Sequence, residues 1–227
     1  MNYIIGTGWW CDGTGKHAGS AGNSSSDRIR QVGFFSTWLR HVRAYTSPTD
    51  IVVVDSASPV RPDFSGLHVL RMIRNFTGDG RDGMFGTDRT AATRQVFVGA
   101  VYAAMNGADY FVWLEQDCLV HGKGLVERAI ENMKGADFST GRWDHEYRVE
   151  TCFMIFKATS VATLIDRYFR VAAPKPELRY LELTKQLRFA WLPFGYGRNR
   201  PINFDDKQFY AQHLNDDEIR KFEEKLR

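Results

Sequence analysis

The chain has 227 residues, of which 43% are hydrophobic, and its 30 lysines and arginines nearly balance its 27 aspartates and glutamates. This composition fits one α/β domain with a sizeable core, and the net charge of +3, without a long basic block, argues against nucleic-acid binding. No apolar run reaches the roughly 18 residues of a membrane-spanning helix. Three distant cysteines and an N-terminus unlike a signal peptide predict a cytoplasmic protein.

The first half of the chain alternates predicted strands and helices. Continuous apolar, β-branched runs indicate buried strands, and apolar residues at three- and four-residue steps indicate helices. In chain order we predict a strand at 3–5, a Gly- and Ser-rich loop at 11–26, a helix from Asp27 to about 47, strands at 51–54 and 68–73, a Gly- and Asp-rich loop at 74–88, a helix at 90–106 and a strand at 110–114.

The second half continues the α/β pattern and adds a less regular tail. We predict a helix at 125–133, strands at 137–142 and 149–156, a helix at 160–171, a loop at 192–201 and a last helix opened by Asn215. This order predicts an open, mostly parallel, Rossmann-like sheet with helices on both faces and a small antiparallel and C-terminal elaboration.

The segment YFVWLEQDCLV, at 110–120, carries two carboxylates at the end of a strand that reads as buried. In an extended chain, Glu115 and Asp117 point the same way, and two like charges there are costly unless a cation or hydrogen-bond donors neutralise them. Carboxylate oxygens suit Mg²⁺ or Mn²⁺. The alternative is a solvated pair that caps the next helix.

Other polar groups are predicted at the same edge of the sheet. Asp55 ends the neighbouring buried strand, a Gly-rich loop leaves the first strand at Gly6, and Arg89 and Arg94 lie near the start of the helix before Glu115. Ligands of open α/β sheets bind at the carboxyl ends of the strands. We therefore predict one crevice where these groups converge around phosphate.

The block NGADYFVWLEQDCLV and the order of elements over about 2–160 resemble a GT-A glycosyltransferase. The resemblance implies one domain over 1–227, with a nucleotide-binding half at 1–120 and an acceptor-binding half and tail at 121–227. It implies a nucleoside-diphosphate sugar as donor, a saccharide or glycoconjugate as acceptor, and Mn²⁺ or Mg²⁺ as cofactor. It names neither the sugar nor the oligomeric state.

The resemblance also implies roles for individual residues. The first acid is Glu115 where the family usually has Asp, so Asp117 is the expected direct metal ligand, and Glu115 contacts the metal, a metal-bound water or the ribose. Asp55 matches a base-binding position, with uracil as one candidate base, and His213 is a candidate third metal ligand. The remaining nucleotide-binding candidates are Gly6, Thr7, Gly8, Trp9, Trp10, Arg89, Arg94 and Gln116.

An inverting transferase also needs a base to take the proton of the acceptor hydroxyl, and this base is usually a carboxylate. The candidates are Asp205, Asp206, Glu150 and Asp144. Alternatively, Asp205 and Asp206 supply the negative charges at the start of a helix, and His213 is a surface residue. Trp143, Trp191 and Tyr196 lie in predicted loops and are candidates for stacking on sugars.

Two other functions stay open at this point. One is a non-catalytic module that binds nucleotide or glycan, and the other is a nucleotidyltransferase on the same fold, although the expected G-x-x-x-R loop is missing. The segment GTGWWC at 6–11 begins like a dinucleotide fingerprint, but Cys11 stands at the position of its third Gly. We therefore do not expect an NAD site.

Overall fold

A computed structural model describes residues 1–13, 25–73, 90–145, 148–173 and 175–226 of the chain, with the side chains of 90–92 excepted. Its elements in chain order are β1 (Tyr3–Trp9), α1 (Phe34–Tyr45), β2 (Asp50–Asp55), β3 (His68–Arg71), α2 (Thr90–Met105), β4 (Tyr110–Leu114), β5 (Leu119–His121), α3 (Leu125–Met133), β6 (Phe138–Arg142), β7 (Val149–Lys157), α4 (Val161–Arg170), α5 (Pro176–Gln186), β8 (Phe189–Trp191), β9 (Tyr196–Gly197), β10 (Phe209–Ala211) and α6 (Asp216–Glu224).

The main sheet has seven strands in the order β3-β2-β1-β4-β7-β6-β8. The first four strands of the chain run parallel, whereas β7 is antiparallel to both β4 and β6. The carboxyl ends of β1, β2 and β4 therefore share one edge, and β7 begins at that edge. This mixed, mostly parallel sheet confirms the predicted Rossmann-like fold.

Helices cover both faces of the sheet, as the sequence predicts. Successive strand residues face opposite sides, so each central strand contributes to two cores. Ile5 and Val53 pack with α1, α3 and α6, whereas Ile4 and Val52 pack with α2, α4 and α5. Among the helices that the structure describes, none is both long and apolar enough to cross a bilayer.

Two element boundaries near the N-terminus differ from the prediction. β1 continues to Trp9, beyond the predicted end at residue 5. The Phe111 ring packs against Gly6 and the Gln95 side chain against Gly8, so the strand needs glycine at these two positions. The first helix begins at Phe34, since residues Asp27–Arg30 form a separate 3-10 turn.

A second sheet of three strands, β5-β10-β9, belongs to the predicted small elaboration, although its individual strands were not predicted. Its strands have only two or three residues, too few to show a period. β10 pairs with β5 just after the acidic turn, so the chain that follows β10 lies beside Glu115 and Asp117. The last helix, α6, has the predicted cap, because the Asn215 side chain accepts from Glu218 N at 2.9 Å.

Candidate functional site

The two carboxylates lie in a tight turn at the end of β4. Glu115 N donates to Cys152 O on β7 at 2.9 Å, and Cys118 N donates to Glu115 O at 2.9 Å. These bonds hold the backbone of the turn, and the Asp117 side chain is only 2% exposed. The sheet therefore places both acids at the predicted edge.

Gln212 joins the two acids. Its side-chain Nε2 donates to Glu115 Oε2 and to Asp117 Oδ1, the latter at 2.9 Å. Gln212 follows β10 directly and is 4% exposed, and its backbone N donates to Gly197 O at 3.0 Å. The second sheet thus delivers a neutral donor between the buried Asp117 and the partly exposed Glu115.

The other oxygen of Asp117 faces two basic groups. Asp117 Oδ2 lies 3.4 Å from Arg30 Nη2 and 3.7 Å from His213 Nε2. Burial by itself raises the pKa of Asp117, but Arg30, His213 and the hydrogen bond from Gln212 outweigh burial, so this pKa lies below its usual value. Burial lowers the pKa of His213, which favours a neutral imidazole.

Glu115 behaves in the opposite way. Its removal from water and the nearby charge of Asp117 raise the pKa of Glu115 to about 8. Asp117 is therefore ionised and Glu115 protonated near neutral pH, as expected for two carboxyls that share one site. A cation that binds both groups would have to displace this proton.

The side chains around this turn fit a divalent cation in their chemistry. Asp117 and Glu115 supply hard oxygens, His213 supplies an imidazole that is neutral, and Asp117 Oδ2 is a buried oxygen that accepts no hydrogen bond from the described residues. Within the part of the chain that the structure describes, no three such groups lie close enough together to coordinate one metal ion. Gln212 and Arg30 are the present partners of the acids, so a cation must replace their contacts.

Glu150 is adjacent to this centre, but its carboxylate is bound by Arg198. It is fully buried, and its Oε2 accepts from Arg198 N and Nε, each at 2.9 Å, while its Oε1 accepts from Arg198 Nε at 3.1 Å. Both carboxylate oxygens are held away from solvent. Arg198 thus binds the carboxylate that was predicted as a catalytic base, and that role of Glu150 stays a prediction.

The other predicted bases lie in turns. Asp205 is exposed, and Asp206 accepts from Asn203 Nδ2 at 2.9 Å and from the Tyr196 hydroxyl. No helix follows them, since the next element is β10, so the alternative of helix-start charges is wrong. Asp144 is also exposed, and neither it nor the other two acids contacts Glu115 or Asp117 among the described residues.

Most of the predicted nucleotide loop belongs to the sheet. Gly6, Thr7 and Gly8 are buried inside β1, and the Trp9 ring packs in the core with its Nε1 donating to Val60 O at 3.0 Å. Core side chains cover these four residues in the present conformation, and their contacts with nucleotide stay a prediction. Trp10 remains partly exposed just beyond the strand.

Gln116 holds the backbone of Trp10. Its side-chain Oε1 accepts from Trp10 N at 3.0 Å, and its Nε2 donates to Trp10 O at 3.4 Å. This amide continues the pairing of β1 with β4 by one step beyond the strands. Gln116 therefore links the acidic turn to Trp10, which is partly exposed, whereas Trp9 is buried.

The remaining predicted residues lie at or near the edge. Asp55 is fully buried, with Oδ1 accepting from Ser58 N at 2.9 Å and Oδ2 lying 3.6 Å from Arg71 Nε, so a base cannot reach it in this conformation. Arg94 lies on α2 and is 9% exposed, and its phosphate role stays a prediction. Arg89 lies outside the described residues.

Two cavities adjoin the acidic turn. The main cavity has a volume of about 710 Å³ and is lined by Ser25, Trp143, Arg198, Arg200, Pro201, Ile202, Phe204, His213, Asn215, Asp217, Glu218 and Lys221. The small cavity, of about 160 Å³, is lined by Glu115, Thr93, Thr151, Glu177, Tyr180, Val96, Met154 and Pro176. Glu115 thus lines the small cavity, whereas His213, which faces Asp117, lines the main cavity.

Three residues of this centre were missed by the sequence analysis, namely Arg30, Arg198 and Gln212. Arg30 ends the short 3-10 turn and Arg198 lies in a loop, and no local pattern distinguishes them from other arginines. The one available signal was that Gln212 precedes His213, a residue that was predicted to lie near Asp117. Their positions depend on long-range folding.

Comparison with known protein families finds none that matches the chain, and no curated protein matches its sequence. Solved structures match it in shape. The apo-form glycosyltransferase GlyE of Streptococcus pneumoniae TIGR4 has a TM-score of 0.56 and 8% identity, covering 100% of this chain and 60% of GlyE.

Two further structures have the same fold. HddC from Yersinia pseudotuberculosis has a TM-score of 0.50 and 11% identity, covering 99% of both chains. The bifunctional IspDF of Campylobacter jejuni has a TM-score of 0.51 and 10% identity, covering 89% of this chain and 52% of IspDF. The chain thus spans less than two thirds of GlyE and IspDF. These similarities establish that the chain has the GT-A-like α/β fold of these proteins.

Proposed function

We propose that this chain is a metal-dependent glycosyltransferase that moves a sugar from a nucleoside-diphosphate sugar to a saccharide or glycoconjugate. The observation that carries the proposal is the pair Glu115 and Asp117 at the carboxyl edge of the parallel strands. His213 stands beside this pair at the mouth of the main cavity. A fold alone hosts many reactions, so the site must carry the functional argument.

Asp117, Glu115 and His213 would hold the cation, which would be Mn²⁺ or Mg²⁺. When bound, the cation offsets the negative charge of the departing diphosphate. Burial of Asp117 keeps water from competing for its oxygens, and Arg30 beside it adds positive charge on the same side. The proposed nucleobase of the donor is uracil. The proposed catalytic base, which takes the proton of the acceptor hydroxyl, is Asp205 or Asp206.

The cavities suit a sugar-transfer reaction. The main cavity is large enough for a saccharide unit, and Trp143 and Phe204 give it aromatic walls among charged side chains. The small cavity is lined by Glu115 together with Thr93, Thr151 and Tyr180, so polar and apolar side chains share its walls.

A donor panel tests the proposal. The protein is incubated with UDP- and GDP-sugars with Mn²⁺ or with a chelator, and release of the nucleoside diphosphate is measured. Parallel reactions with nucleoside triphosphates and sugar 1-phosphates measure pyrophosphate release. Slow, metal-dependent hydrolysis of one sugar donor, lost in Asp117→Asn, is the expected result.

Two outcomes would overturn the proposal. Pyrophosphate release without donor hydrolysis would assign the chain to nucleotidyl transfer. Tight nucleotide binding with no turnover of any donor would favour the non-catalytic module.

A further inference from the structure

A third cavity shares Trp143 with the main cavity. Its volume is about 520 Å³, and it is lined by Arg142, Trp143, Asp144, His145, Arg148 and Trp191. Nothing in the proposed reaction uses it. We propose that this cavity, here called the outer subsite, binds an anionic sugar unit of an oligosaccharide acceptor. The inference rests on the proposed function, since it specifies the class of its acceptor.

The charge of the outer subsite favours an anion. Arg142 and Arg148 are both exposed, and neither forms an ion pair with a carboxylate in the described part of the chain. Asp144 is the one acid among the described residues that line this cavity. Guanidinium groups bind carboxylate, phosphate and sulfate through paired hydrogen bonds, so two unpaired arginines favour a sugar that carries such a group.

The outer subsite also has the aromatic surface that sugar rings use. Trp191 is partly exposed, and the Arg142 guanidinium lies 4.9 Å from the centre of its ring. An indole offers a large, rigid apolar face, while the adjacent guanidinium supplies donors for polar substituents. The combination matches a ring with an apolar face and an anionic group.

Trp143 forms the wall between the two cavities, since it lines both. Arg198, on the side of the main cavity, lies 3.6 Å from the centre of the Trp143 ring. His145, on the side of the outer subsite, stacks on the same indole with centroids 4.3 Å apart and planes 14° apart. Trp143 is therefore a wall common to both cavities, with Arg198 and His145 packed against its ring.

The loop that carries the outer subsite is held by specific hydrogen bonds. Asn199 Nδ2 donates to Arg142 O at 2.8 Å, and Asp144 N donates to Asn199 Oδ1 at 2.8 Å. Trp143 N donates to Arg148 O at 3.0 Å. These bonds fix the backbone of Arg142, Trp143, Asp144 and Arg148 before a ligand binds, which lowers the entropy cost of binding.

The geometry thus implies a direction for the acceptor. Its reacting end occupies the main cavity beside His213, and the following units cross Trp143 so that an acidic unit reaches Arg142 and Arg148. The anionic group is a carboxylate or a phosphate, and the experiment separates these two sources.

Calorimetry tests the outer subsite with the full chain. The probes are an oligogalacturonate for carboxylate, a phosphorylated oligosaccharide for phosphate, and a neutral maltooligosaccharide of equal length. We expect one anionic probe to bind at least about tenfold more tightly than the neutral one, and R142Q/R148Q to remove this preference. The control R40Q/R43Q removes two exposed positive charges from α1 and should bind as the wild type does.

Equal affinity for neutral and anionic probes, or equal losses in R142Q/R148Q and R40Q/R43Q, would overturn the inference. Binding of a single-stranded oligonucleotide as tight as that of the saccharide would also overturn it, since that would indicate a general polyanion surface. Donor hydrolysis in R142Q/R148Q separates the two proposals. If the wild type hydrolyses the donor but does not prefer an anionic saccharide, only the outer subsite is overturned. If the wild type prefers an anionic saccharide but hydrolyses no donor, the proposed reaction is overturned.

Discussion

The side-chain amide of Gln212 lies between two acids and donates to Asp117 Oδ1 at 2.9 Å. This contact joins the end of β10 in the small sheet to the turn after β4 in the main sheet. Like charges in such a turn repel each other unless a proton, a donor or a cation lies between them. The protein supplies the proton on Glu115 and the donor on Gln212, and both can give way to a cation.

Asp117→Asn should abolish the effect of Mn²⁺ on nucleoside-diphosphate binding. The amide keeps the shape of the side chain but removes the charge that a cation needs, so Mn²⁺ should no longer tighten UDP binding by about tenfold or more. Titration calorimetry with Mn²⁺ or with a chelator measures this difference. The control Asp205→Asn changes an exposed acid and should keep the wild-type response to Mn²⁺. A metal effect that survives in Asp117→Asn would remove Asp117 from the metal site.

Gln212→Leu should destabilise the metal-free protein by about 1–3 kcal/mol, because buried carboxylate oxygens lose their donor. The same change removes a competitor of the cation, so added Mn²⁺ should stabilise the variant more than the wild type. Urea unfolding with a chelator and with Mn²⁺ measures both effects. Gln186→Leu, at an exposed position, is the matched control. Equal stabilisation of wild type and Gln212→Leu by Mn²⁺ would show that Gln212 and the cation do not compete.

Arg198→Ala should cost about 3–5 kcal/mol, because it leaves Glu150 buried without its partner. The comparison is Arg220→Ala, whose exposed pairs with Asp217 at 3.3 Å and Glu224 at 3.0 Å should contribute less than about 1 kcal/mol. Denaturant unfolding at one pH measures both variants. Adding Glu150→Gln to Arg198→Ala should recover part of the loss, since the unpaired charge is removed. Similar losses in Arg198→Ala and Arg220→Ala would contradict the buried pair.

His41 should make the fold sensitive to mild acid. Nδ1 lies 3.0 Å from Val120 O, and burial lowers the pKa of His41 from 6.5 to about 4. The unfolded chain therefore binds more protons than the folded chain between these values, so stability is lost as the pH falls through this window. The shift corresponds to about 3 kcal/mol.

Urea unfolding at neutral pH and near pH 5 compares wild type with His41→Leu, which should lose less stability between the two pH values. His68→Leu changes an exposed histidine and should keep the wild-type loss. If His41→Leu loses as much stability as the wild type, another group causes the acid sensitivity.

Gly6→Ala should destabilise the fold through packing. An added Cβ would overlap the Phe111 ring, and overpacking of a core typically costs about 1–3 kcal/mol. The added Cβ of Gly33→Ala meets nothing within 4 Å, so that variant should stay close to the wild type. Thermal unfolding of the two variants measures the difference. If Gly6→Ala is as stable as the wild type, packing against Phe111 does not explain this glycine, and its ligand-binding role stays a prediction.

Much of the fold could be predicted from the sequence because its longer elements have local signals. The strand Tyr110–Leu114 and the helix Leu125–Met133 have the predicted bounds, and Asn215 caps the last helix as expected. The α5 helix and strands β5, β8, β9 and β10 were missed, since their patterns are short or interrupted. The strand carrying Gly6 and Gly8 was read as a loop, because glycine usually marks turns and only the neighbouring side chains show why a strand needs it there.

The sequence by itself determined the α/β architecture and the two acids at a strand end, because hydrophobic period and strand-end chemistry are properties of neighbouring residues. Only the tertiary structure decided that Gln212, Arg30 and His213 surround Asp117, and that Arg198 forms an ion pair with Glu150. Those contacts join segments about 100 residues apart, through short strands whose pairing is stabilised by the whole sheet rather than by their own sequence.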